Sequence, residues 1–117
     1  MKEAARASRE AVVARVLKGP GSASPAARQA AFDNRCVDDR SSTLVAKVAR
    51  HAWTVTDEDV AATKRAGVSE DEIFELAVAA ALGQATRQLN AALAALDEAT
   101  RPAAASPLST VQDGGSR

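Results

Sequence analysis

Residues 55–76 read VTDEDVAATKRAGVSEDEIFEL and hold two near-copies of one phrase. Thr56-Asp57-Glu58-Asp59-Val60 and Ser69-Glu70-Asp71-Glu72-Ile73 each run hydroxyl, three acids, β-branched apolar residue. Carboxylates at this density suit three kinds of chemistry. Several carboxylate oxygens can hold a hard cation. A desolvated carboxyl can exchange protons as a general acid or base. Acids in the first turn of a helix simply offset its dipole. The last needs no convergence in space. Ser69-x-x-Glu72 has the form of a capping box, in which each residue's side chain accepts from the other's backbone N–H. Thr56-x-x-Asp59 is a shorter-armed version, expected to cap less well. Each cap stabilises by about 1 kcal/mol, so two helix starts account for the group without a ligand. A bound metal is not expected. His51, the sole histidine, has Lys47 and Arg50 for neighbours, and these would repel a cation.

Four side chains remain as candidates for chemistry. Asp59 either caps its helix or faces a pocket as an acid or base, provided its pKa rises. His51 either shuttles protons near neutrality or belongs to an exposed basic face with Lys47. Trp53, the only tryptophan, either lines a ligand pocket or plugs the bundle or an interface. Cys36, in NRCVDDR, has an arginine before it and acids after it, which favours an unreactive thiol over a reactive one. As the sole cysteine it excludes an intrachain disulfide and a cysteine-rich zinc module. Nothing resembles a Gly-rich phosphate loop, and no cofactor is expected.

These residues must be positioned by helices. Hydrophobic residues make up 46% of the 117-residue chain, yet aromatics are only 3%. Alanine-rich segments favour helix but bury little area per residue, so closely packed helices with a modest core are expected. The apolar spacing predicts helices over residues 2–18, 25–32, 43–53, 57–66 and 70–98. GPGSASP at residues 19–25 breaks the first helix, and Pro25 opens the second. Leu44, Val45, Val48 and Ala52 should turn inward from the third. Gly67 should close the fourth in a left-handed conformation. In the long last helix the expected core stripe is Ile73, Phe74, Ala77, Val78, Ala81, Leu82, Ala85, Leu89, Ala92, Leu93 and Leu96. Ala79-x-x-x-Gly83 lies off that stripe, as a second contact surface or a by-product of alanine-rich composition. No segment reads as a strand. The expectation is an all-α domain of about five helices over residues 1–98, with a disordered tail at 99–117.

Fifteen basic and fifteen acidic residues cancel, which argues against nucleic-acid binding. The start MKEAARASREAVV is acid-containing and lacks a secretory core. The longest charge-free apolar run is far short of the roughly 20 residues of a membrane span. A cytoplasmic protein without membrane contact is expected.

The phrase AGVSEDEIFEL, followed by AVAAALG, resembles the helical hairpin of the carboxymuconolactone decarboxylase and AhpD-like superfamily. The resemblance extends over about residues 45–96, in a branch lacking the redox cysteines. It implies an all-helical fold assembled into trimers or hexamers. Redox members carry a Cys-x-x-Cys pair before this Ala-Gly and a histidine four residues later. Counting back from Gly67, those positions hold Ala52, Val55 and Asp59. Dithiol chemistry requires an attacking and a resolving thiol, which Ala52 and Val55 do not supply. The leading expectation is therefore a homo-oligomeric binding or structural protein, with a small molecule as conceivable ligand. One alternative is a decarboxylase-like enzyme with a subunit-interface pocket using Asp59, His51 or Trp53. A weaker one is a peroxide reductase using Cys36 alone.

Overall fold

Five α-helices and one 3-10 turn make up the computed structural model, which describes residues 2–35 and 39–102. They are α1 (Lys2–Lys18), α2 (Pro25–Phe32), α3 (Ser42–His51), the 3-10 turn Ala52–Thr54, α4 (Asp57–Arg65) and α5 (Glu70–Ala99). The all-helical fold holds, and no strand occurs among the described residues. None of their helices is long and apolar enough to cross a membrane. Cys36 and the tail beyond Pro102 lie outside the described residues.

Local chemistry sets the helix ends. Ser24 caps α2 by accepting from the Ala27 N–H at 3.1 Å, with Pro25 in the first turn, where its missing N–H costs nothing. Asn34, at φ 56°, takes the left-handed position after α2; its N–H donates to Ala31 O and that of Arg35 to Ala30 O. Gly67, at φ 105°, does the same for α4, with its N–H donating to Lys64 O and that of Val68 to Thr63 O. Both ends are Schellman motifs. The third helix stops two residues earlier than its apolar spacing suggests. The chain tightens into the 3-10 turn, closed by Thr54 Oγ1 donating to His51 O at 2.7 Å, which leaves Ala52 exposed instead of inward.

The chain divides into two compact units, Met1–Arg87 and Gln88–Arg117. The first holds two apolar clusters. One joins Leu17, Ala23, Ala31, Val45, Ala49, Leu76, Ala79 and Ala80, with Val13, Val16, Phe32 and Val48 at its margin. The other joins Leu44, Val68 and Ile73, with Val55 and Val60 against it, and fixes the α4–α5 hairpin on α3. The second unit contains the last three turns of α5, residues 88–99.

The buried face of α5 differs from the expected stripe. Ile73, Leu76, Ala79, Ala80 and Gly83 are buried, whereas Phe74 is 69% exposed and Leu96 57%. The reason lies at Gly83. A Cβ there would overlap Phe32 O, so backbone lies against backbone where α2 ends. Arg87 Nη1 also donates to that carbonyl at 2.6 Å, satisfying one of the acceptors that a helix end leaves open. Small residues win this face because they allow close approach. Ala79-x-x-x-Gly83 is thus part of the main core contact.

Candidate functional site

The acid-rich phrases form two complete capping boxes. Thr56 Oγ1 accepts from the Asp59 N–H at 3.1 Å, and Asp59 Oδ2 accepts from the Thr56 N–H at 2.9 Å. Ser69 Oγ accepts from the Glu72 N–H at 3.1 Å, and Glu72 Oε1 accepts from the Ser69 N–H at 3.1 Å. The shorter Asp59 arm reaches as closely as the longer Glu72 arm. Lys47 helps hold it, donating from Nζ to the same Oδ2 at 2.8 Å. The remaining acids are dispersed: Glu58 pairs with Arg65, and Glu70 with Lys64 at 2.9 Å. Among the described residues no three of His, Cys, Asp and Glu are grouped to hold a metal ion.

Asp59 is the residue in which capping and catalysis compete most directly. The Lys47 ammonium, then the Thr56 N–H, hold its carboxyl below the ordinary carboxylate range. A general base for neutral pH needs a shift the other way. Both of its polar neighbours bond Oδ2. The geometry makes Asp59 a clamp between α3 and α4.

His51 and Trp53 flank the 3-10 junction. Their rings lie 5.0 Å apart, centre to centre, tilted by 59°. Both are exposed, Trp53 to 80%, so the tryptophan does not plug the bundle. The turn at Ala52–Thr54 rotates it off the inward face of α3. Asp59 is bonded to Lys47 and Thr56, while the ring neighbour of His51 is Trp53. The two candidates for proton transfer therefore have separate partners.

An open cleft of about 360 Å³ lies where α2 ends and α3 begins, lined by Asn34, Arg35, Ser42, Thr43, Val45, Ala46 and Arg50. Arg35 Nη2 is paired with Asp33 Oδ2 at 3.1 Å. Sequence alone does not disclose this cleft, because its two arginines come from different elements and neither has a distinctive local spacing.

Glu75 was also hidden in the sequence. Its carboxylate accepts from the backbone N–H of Ala23 at 2.7 Å and of Ser22 at 2.9 Å. These two donors, Ala23 first, lower its pKa, and the nearby Arg28 charge adds to the effect. Arg28 is itself buried and donates from Nη1 to Val16 O at 3.0 Å. Glu75 thus pins the loop between α1 and α2 onto α5. The available signal was the GPGSASP turn, whose free N–H groups needed an acceptor.

The remaining feature is an apolar surface. In the second unit Leu89 is 36% and Leu96 57% exposed, and Leu93 is half-buried. Ala91, Ala92, Ala94 and Ala95 between them are exposed. Comparison with family models, with curated proteins and with solved structures found no match for the chain.

Proposed function

We propose that this chain is a homo-oligomeric helical protein with a binding or structural role, built on an AhpD-like hairpin without that family's redox cysteines. The observation that carries the proposal is the exposed pair Leu89 and Leu96 with half-buried Leu93 between them, on a protein whose core is largely alanine. Large apolar side chains grouped on one helix face are stabilised by association. The lowered pKa of Asp59 supports a role without proton transfer at that position. The hairpin resemblance makes a trimer or hexamer the proposed size. Light scattering on the purified chain at micromolar concentration tests this. An assembly larger than one chain is expected; a uniform monomer would refute the reading.

A further inference from the structure

We infer that residues 88–99 of α5 pair antiparallel with the same residues of a second copy, about a two-fold axis near residue 94. The inference rests on the self-assembly proposed above and specifies its contact surface.

The spacing comes first. Leu89 and Leu96 are seven residues apart, as are Ala92 and Ala99, and the four alternate at intervals of three and four. That places them along one face of the helix, with the heptad repeat of a coiled-coil seam. All four lie in α5, and all four are exposed. Leu93 stands beside the seam, one turn from both leucines.

Size then selects the orientation. In a parallel, in-register pair each leucine meets a leucine and each alanine an alanine, so wide and narrow layers alternate and the alanine layers leave voids. Antiparallel pairing sets Leu89 against the partner's Ala99 and Leu96 against its Ala92. Every layer then holds one large and one small side chain, as even packing requires. The two Leu93 side chains meet beside the axis.

Charge selects the same arrangement. The only ionisable residues in this stretch are Asp97 and Glu98, both at its C-terminal end. A parallel copy would bring two such pairs of acids together; an antiparallel copy keeps them at opposite ends. Residues 88–96 carry no charge that would select a different partner. The antiparallel arrangement also sets the helix dipoles in opposition. A second copy is the occupant whose size and charge pattern fit this face. Two-fold pairing requires an even number of chains, and so selects the hexamer, or a plain dimer, over the trimer.

Light scattering and sedimentation of the full chain, from 1 to several hundred micromolar, provide the test. The wild type should form an even-numbered assembly. The double variant Leu89→Lys, Leu96→Lys should keep its helical circular dichroism and associate at least a hundredfold more weakly, because lysines replace both large seam residues. For orientation, chains with Ala92→Cys or Leu96→Cys, each in a Cys36→Ser background, are mixed and oxidised. A disulfide between position 92 of one chain and 96 of the other is expected; dominant 92–92 linkage would overturn the antiparallel arrangement. This readout also stands if the lysine variant fails to fold. Undiminished assembly in a folded lysine variant, or an odd-numbered wild type, would overturn the seam and leave self-assembly standing. A wild-type monomer throughout would sink both.

Discussion

The two halves of α5 obey different rules although their compositions are alike. From Ile73 to Gly83 the helix buries Ile73 and Leu76 together with the small residues Ala79, Ala80 and Gly83, and Phe74 stays 69% exposed. From Leu89 to Leu96 it turns leucine to solvent. At Gly83 the neighbouring backbone is so near that only glycine fits, so contact distance there outranks hydropathy. The second half belongs to a unit whose described residues hold no buried apolar cluster. Which face of an alanine-rich helix is buried thus depends on what approaches it. Its own pattern does not decide.

Substitutions can break this contrast, and Gly83→Ala should do so most strongly. The new Cβ would meet the Phe32 carbonyl oxygen, carbon and Cα within 3 Å, and backbone does not yield easily. A net loss of about 2–3 kcal/mol in urea unfolding is expected, overpacking exceeding the gain in helix propensity. A neutral or stabilising result would mean that α5 does not rest on α2 in this way. Glu75→Ala comes next, at about 2 kcal/mol, since it removes the acceptor from two backbone donors. Its pH dependence has a definite sign. The folded pKa of Glu75 is lowered. Its contribution should therefore be complete above its unfolded value, about 4.3, and disappear as pH falls through the folded value. The stability gap between wild type and variant should accordingly close in acid.

Ser69→Ala removes the cap of the anchored end and should cost about 1 kcal/mol by thermal unfolding. Leu96→Ala, in the exposed half, should change the stability of the dilute monomer by no more than about 0.5 kcal/mol. A larger loss at submicromolar concentration would show that Leu96 is buried within its own chain. Lys47→Met should raise the Asp59 pKa toward the ordinary carboxylate range, read by NMR titration of the carboxyl carbon. An unmoved value would mean that the Thr56 N–H alone sets it.

Much of the helical framework is legible in the sequence, for reasons visible at single residues. Ser24-Pro25, Thr56-x-x-Asp59 and Ser69-x-x-Glu72 act within one turn, and Gly67 needs only its own φ. Asp59 shows where such reading stops. Its cap was readable, but the Lys47 ammonium that holds it ionised arrives from another helix. Trp53 was expected to line a pocket or fill the bundle or an interface. It does not fill the bundle, because the tightened turn at Ala52–Thr54 leaves it 80% exposed. Glu75 has no distinctive spacing in the sequence, and its role needs the loop carrying Ser22 and Ala23 to close on it. The arginine-lined cleft likewise needs the end of α2 beside the start of α3.

The sequence by itself determined the five helices and most of their ends, the stop of α3 excepted, because capping, propensity and left-handed closure act over four or five residues. Tertiary structure decided which face of α5 is core, what the acids bind and where the aromatics point. Those outcomes depend on distances between atoms remote in the chain, where an approach closer by one methyl group reverses the choice between alanine and leucine. At residues 88–99 the heptad is written in the sequence, whereas the exposure of Leu89 and Leu96 is seen only in the fold.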